Sequence, residues 1–136
     1  MKLCGRIIFS GETSGEALVS SQGISFYGGV DPETGMIVEK DHDLQGICIA
    51  GKILVYPTGK GSTVGSYTLY RLKKKNLAPL AILNSECEPI TAIGCILAEI
   101  PCIDQIPLDQ IHSGMHMIVD ANQGIIELSE ISSTDR

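Results

Sequence analysis

Nowhere does this sequence hold the roughly 18 consecutive apolar residues that a membrane-spanning helix needs. Its start, MKLCGRIIF, is too short in its apolar part and too soon interrupted for a signal peptide, so a cytoplasmic location is expected and no membrane partner. CxxC is missing too. The five cysteines (Cys4, Cys48, Cys87, Cys95, Cys102) are odd in number and widely spaced, which suggests neither a disulfide framework nor a zinc knuckle. The same spacing argues against an iron–sulfur cluster held by this chain alone, and most of the thiols read as small apolar core groups. Positive charge is scarce. Ten basic residues against sixteen acidic ones give a net charge of -6, so a nucleic-acid or anionic-membrane partner has no global electrostatic support. Internal repeats and low-complexity segments are absent.

What is present bounds the architecture. With 136 residues, 43% of them hydrophobic, the chain is long enough for a well-buried core and too short for two ordinary domains. One α/β domain spanning 1–136 is expected, with a polar tail over 129–136 that should fray. The stretch Pro57 to Tyr67, PTGKGSTVGSY, is its most informative part. Before it, Lys52 to Tyr56 (KILVY) reads as a buried strand. After it, Leu69 and Leu72 mark a helical face, Lys73, Lys74 and Lys75 complement the negative end of a helix dipole, and Asn76 is a stop. Gly59 and Gly61 allow a sharp turn, and Ser62 or Thr63 falls where a hydroxyl caps a helix.

Strand, glycine turn and helix N-terminus make an anion site in principle, because unpaired N–H groups and the positive dipole end point the same way. Two known phosphate motifs do not fit. Walker A requires a glycine where Leu54 stands, and Gly59, Gly61 and Gly65 give GxGxxxG instead of the dinucleotide fingerprint GxGxxG. A loop that merely connects and caps remains the alternative.

Along the rest of the chain, Leu3 to Phe9 reads as a first strand weakened or bulged at Gly5, and Glu16 to Ser20 as a second apolar stretch. Asp31 to Gly35 is a turn with Pro32 and Gly35 well placed, while Gly28 and Gly29 would permit close approach of a ligand or another chain. Asp41, His42 and Asp43 read as a solvated turn. Leu80 to Leu83 is a buried strand returning to the sheet. A second helix has Pro89 in its first turn and Glu86 and Glu88 at its positive end. Its core face is read as Ile90, Ile93, Leu97 and Ile100. Met115 to Leu128 reads as a hairpin about Asp120 to Gly124. His112 and His116 sit around Gly114 in β-rich surroundings, which speaks against a helical zinc pair, and no metal site is assigned.

Three runs in order, SFYGGVDPETG, KILVYPTGKGSTVGSYTLYRL and LAPLAILNSECEPITAIGCILAEIP, resemble the swivel domain of the aconitase X group, above all its archaeal phosphomevalonate-dehydrating branch. The resemblance covers Leu3 to Leu128. It implies a swivelling β/β/α domain that closes over a larger partner subunit with an iron–sulfur cluster. It also implies a hydro-lyase reaction, removal of water from mevalonate 5-phosphate to give an anhydromevalonate phosphate, by a heterodimer; with no Lewis acid in this chain, the small chain is expected to be inactive alone. A hydroxyproline dehydratase of the same group differs in substrate, and a free-standing anion-binding module is the non-enzymatic alternative.

In the wider aconitase group a Gly-Ser-Ser-Arg motif supplies the catalytic base, and Gly61, Ser62 and Thr63 occupy the first three places. Ser62 is thereby implied as the proton acceptor. Val64 replaces the arginine that clamps the substrate's carboxylate, and Lys60 could substitute in part. Lys60, Gly61, Thr63 and Ser66 are the expected substrate-binding residues. A serine hydroxyl accepts a proton only where its alkoxide is stabilised, which helix N–H groups in a water-poor site would do. The Lewis acid that draws off the leaving hydroxyl must come from a partner.

Overall fold

The computed structural model describes residues 1–60 and 64–129. Eight strands form one mixed sheet: β1 (Lys2–Cys4), β2 (Arg6–Phe9), β3 (Glu12–Val19), β4 (Ile53–Tyr56), β5 (Ala81–Asn84), β6 (Cys102–Asp104), β7 (His116–Asp120) and β8 (Ile125–Ser129). Three helical segments accompany them, α1 (Phe26–Gly29), α2 (Gly65–Lys74) and α3 (Pro89–Ala98), with a 3-10 turn at Leu108–Gln110. The strand order is β1-β8-β7-β3-β4-β5-β6-β2. Its two ends are therefore consecutive in the chain. The expected single strand from Leu3 to Phe9 is split at Gly5, and its halves pair with opposite ends of the sheet, β1 with β8 and β2 with β6.

Gly5 makes that split possible. Its N–H donates to the Gly124 carbonyl at 3.0 Å. A Cβ on it would lie 2.4 Å from the Asp104 carbonyl oxygen and 2.7 Å from Ile103 Cγ2. Crowding of that kind costs about 1–3 kcal/mol or more when the obstacle is backbone. β3 joins the two halves at the other side. Glu12 to Glu16 pair with antiparallel β7, while Ala17 to Val19 pair with parallel β4, so the strand is longer than the apolar stretch at Glu16 to Ser20 suggests. Its polar first half is held by one neighbour alone.

Doubling of the sheet creates two cores. One lies between the sheet halves and contains Ile53, Val55, Leu83, Ile103, Met117, Val119 and Ile126. The other lies beneath the helices and contains Leu54, Tyr56, Ile82, Leu69, Leu72, Cys95 and Ile100. Successive β4 residues point to opposite faces, so all four of them are buried. The layers run β, β, α.

α3 corrects the expected core face. Ile100 is buried, but Ile93, Ile96 and Leu97 are 51%, 52% and 45% exposed, and the face turned inward carries Thr91, Gly94, Cys95 and Ala98. The reason is proximity. A Cβ at Gly94 would meet Leu69 Cδ1 at 2.6 Å and Ser66 Cα at 3.3 Å, so only small residues let α3 settle against α2 and the sheet.

Other expectations hold or shift by small amounts. Pro89 opens α3, the hairpin turns through 121–124 with Gly124 at φ 74, and His112 and His116 are not helical. Ser129 belongs to β8, paired with His116, so the tail begins later; 130–136 lie outside the described residues. The Asp41 to Asp43 turn is solvated at Asp41 and Asp43, as expected, but not at His42. His42 is only 6% exposed, with Nε2 3.0 Å from the Gly23 carbonyl and Nδ1 accepting from the Leu44 N–H at 3.0 Å. Asp43 takes hydrogen bonds from the Ser20 hydroxyl and the Ser21 N–H. Left-handed Asp41, φ 66, bends the backbone so that neighbours no longer alternate as on a strand.

Asp104, fully buried on β6, ties the sheet end to α3. It accepts Arg6 Nε at 2.9 Å and Nη2 at 2.7 Å, and the Cys87 N–H at 2.8 Å. Burial opposes its charge, but the Arg6 and Cys87 hydrogen bonds outweigh it and hold the carboxyl below the usual range. A lowered carboxyl stabilises the fold above its unfolded value, near pH 4, and that contribution drains as pH falls toward the folded value. Asp104→Asn should therefore unfold about 1–3 kcal/mol more easily at pH 7, with the gap to wild type closing below pH 4 in urea titrations. A gap that stays constant with pH would deny the carboxylate this role.

Candidate functional site

The site is built where β4 ends. The Pro57 carbonyl accepts the N–H groups of Ser85 and Glu86 at 3.0 and 3.1 Å, which fixes the exit of β4 against the segment after β5. Asn84 Nδ2 adds a bond to the Tyr56 carbonyl at 3.0 Å. The next residues are stitched to Ile24, whose N–H donates to the Thr58 carbonyl at 3.3 Å and whose carbonyl accepts the Lys60 N–H at 3.0 Å. Gly59 fits tightly. Its Cβ would fall 2.2 Å from Glu88 Oε1 and 2.6 Å from Thr91 Oγ1.

Glu88 is the N-cap of α3. Its Oε2 accepts the Ile90 N–H at 2.9 Å, its Oε1 accepts the Thr91 N–H at 3.0 Å, and the Thr91 hydroxyl also donates to Oε1. Orphan donors of the first turn are thus met by a carboxylate, which also suits the positive dipole end. This helix end is occupied by the protein's own anion.

Of the expected site residues, Gly61, Ser62 and Thr63 lie outside the described residues. Ser66 is buried, and its hydroxyl donates to the Ile90 carbonyl at 2.7 Å, so it stands between α2 and α3 and not in a cavity. Lys60 does line one. With Ser25, Tyr27, Gly28, Gly29 and Glu39 it surrounds a cavity of about 260 Å³. α1 forms the wall opposite Lys60. Its inner residues have the dihedrals of a type II turn, Tyr27 at φ -85, ψ 117 and Gly28 at φ 87, ψ -22, which explains the first of the two glycines.

Glu39 is the residue that sequence reasoning missed. Its Oε2 receives Lys60 Nζ at 2.7 Å, and its backbone N–H donates to the Gly29 carbonyl at 3.3 Å. Twenty-one positions separate the pair, and no spacing rule links them. Lys60 therefore has a carboxylate partner from outside its own loop.

A larger cavity, about 570 Å³, opens at the other end of the strands between Gly11, Glu12, Lys73, Asn76, Glu99 and Pro101. It faces helix C-termini, and Lys73 Nζ already donates to the Glu99 carbonyl at 3.2 Å. Ligands in open α/β sheets bind beyond the carboxyl ends of strands, which favours the smaller cavity.

The cysteines fit a packing role. Cys87 and Cys102 Sγ atoms lie 3.9 Å apart, and Cys87, Cys95 and Cys102 are all buried. Hydrogen bonding to Cys102 and then burial raise the Cys87 thiol. At Cys102 the bond with Cys87 works the other way, but that with Cys95 and burial prevail and raise it too. Thiols held protonated are poor metal ligands. Among the described residues no group of three or more His, Cys, Asp or Glu is arranged to hold a metal ion, and no helix is long and apolar enough to cross a membrane.

An eight-stranded mixed sheet with α2 and α3 packed on one side, and a small cavity beside the segment that leaves β4, defines an α/β domain of the swivel type. The aconitase X swivel domain family matches residues 2–128, and the chain belongs to that family. Among its relatives is the phosphomevalonate dehydratase small subunit of Thermococcus kodakarensis, 51% identical over 130 residues, covering 96% of this chain and 98% of that one. Its namesake in Methanosarcina acetivorans is 50% identical over 131 residues, covering 94% and 91%. The crystal structure of Thermococcus kodakaraensis aconitase X in its holo-form superposes with a TM-score of 0.94 at 50% identity, covering 96% of this chain and 99% of that one.

The Glu88 cap yields a direct test. Glu88→Ala should lower stability by about 0.5–2 kcal/mol, read as a drop in the urea midpoint at unchanged slope. Gly59→Ala should cost at least as much, because the new methyl meets the capping carboxylate. Tolerance of both substitutions would show that the cap does not hold the loop.

Proposed function

We propose that this chain is the small subunit of a two-chain dehydratase that removes water from mevalonate 5-phosphate to give an anhydromevalonate phosphate, in the cytoplasm. The observation that carries the reading is the 51% identity, across 96% of the chain, to a protein named phosphomevalonate dehydratase small subunit. A small subunit implies a larger one, and the partner is that chain. Because the cysteines here do not fit an iron–sulfur cluster, we place the cluster in the partner.

Ser62 is the proton acceptor in this reading. It stands three positions before α2, after a loop whose start is fixed by Pro57, Gly59 and Lys60. Its alkoxide needs donors and exclusion of water, and closure against the partner would supply the second. Lys60, Gly61 and Thr63 are its substrate-binding neighbours. Ser66 is assigned to helix packing.

A specific observation favours a second substrate. Glu39 beside Lys60 offers the carboxylate that an ammonium would seek, so hydroxyproline, with a carboxylate and an ammonium, belongs in the same assay. Turnover preferring mevalonate 5-phosphate supports the main reading, and a preference for hydroxyproline replaces its substrate.

The test of Ser62 uses the complex reconstituted with the larger subunit. Ser62→Ala should lower turnover about 100- to 10,000-fold while the two chains still co-elute, and the lone wild-type chain should be folded and inactive. Near-normal turnover by Ser62→Ala would move the base elsewhere.

A further inference from the structure

The cavity beside Lys60 is walled by fixed backbone and mouthed by a pair of opposite charges. Lys60's own N–H is bonded to the Ile24 carbonyl, so its ammonium moves only by rotation of the side chain. Glu39 is anchored on the facing wall, where the Gly29 carbonyl takes both the Val38 N–H at 2.9 Å and the Glu39 N–H at 3.3 Å. Gly29 itself cannot carry a side chain freely, since its Cβ would lie 3.3 Å from Glu39 Oε1. At Gly28 the opposite holds. Nothing lies within 4 Å of a Cβ there, so open space adjoins the turn.

The pair is half in water. Lys60 is 50% and Glu39 29% exposed in their side chains. An ion pair so placed is weak, and a better anion can replace one member. The geometry points to an oxyanion site: we propose that the cavity between Ser25–Gly29 and Lys60 takes the carboxylate or phosphate end of a substrate. Glu39 is its internal competitor, holding the ammonium at the mouth until the ligand displaces it. The inference rests on the reading of Lys60 as a substrate-binding residue. It adds Glu39 and the Tyr27-Gly28-Gly29 turn to that site.

Competition has a sign that a structural role lacks. Were Glu39 only a prop for Lys60, removing its charge would loosen the lysine and weaken binding. As a competitor, its removal strengthens binding. The full chain carrying ¹⁵N-labelled lysine and backbone is titrated by NMR with inorganic phosphate and, separately, with acetate. Shifts should gather at Lys60 and residues 25–29. Glu39→Gln should tighten the preferred anion about two- to fivefold, the range that loss of an exposed ion pair gives. Lys60→Met should abolish the shifts, and Glu39→Gln in the Lys60→Met background should restore nothing. Both variants should melt within a few degrees of wild type, since the pair is exposed. A preference for phosphate or for acetate tells which end of the substrate the cavity takes, and either supports the site. Equal or weaker binding by Glu39→Gln, no binding of either anion by the wild-type chain, or shifts centred away from Lys60 and 25–29 would overturn it. Binding is read without turnover, so this outcome is independent of whether Ser62 is the base or mevalonate 5-phosphate the substrate.

Discussion

Everything in this fold depends on a close approach of backbones at Gly5. One short stretch, Lys2 to Phe9, must supply the outermost strand at both ends of an eight-stranded sheet, and it can do so only if the residue between its halves has no side chain. The split sets β1 against β8 and β2 against β6, so the two ends of the sheet meet around Gly5. The loops at the carboxyl ends of β4 and β5 are left as the open end of the helical side. Asp104 reinforces the same corner from within, joining Arg6 on β2 to the start of α3.

The candidate site inherits its order from that frame. Its backbone is fixed three times over: at Pro57 by the segment after β5, at Thr58 and Lys60 by Ile24, and at Gly59 by the Glu88 cap. On the proposed reading, rigid support beside Ser62 is what positioning requires, because a displacement of about 1 Å can cost a large factor in rate. The far side is different. Tyr27, Val64 and Tyr67 are 56%, 43% and 65% exposed at this end, where the Tyr27 backbone nitrogen lies 3.6 Å from where a Cβ on Gly65 would stand. This suits a chain that, on the proposed reading, works against a larger subunit.

Much of this was legible in the sequence where short-range rules operate. The KILVY strand, the Pro89 helix start, the Asp31 to Gly35 turn and the hairpin about Asp120 to Gly124 each follow from local chemistry, and each is found. The misses are long-range. Gly5 reads as a flaw in a strand, since nothing local says that its two sides pair with β8 and β6. α3 carries two helical stripes, one large and apolar, one small, and only the proximity of Leu69 at Gly94 decides that the small one faces inward. His42 reads as exposed because its partner, the Gly23 carbonyl, is nineteen positions away. Glu39 escapes for the same reason.

The central claim is that the end of the molecule holding residues 24–29, 58–60 and 64–67 is, on the proposed reading, one wall of a site completed by a larger subunit. Amide hydrogen exchange of this chain, free and in the reconstituted complex, tests it directly. The account predicts new protection concentrated in 24–29 and 58–67, with the β7–β8 hairpin and the cleft around Gly11 and Asn76 unchanged. Protection confined to the hairpin or to that cleft, with 58–67 exchanging as in the free chain, would contradict it.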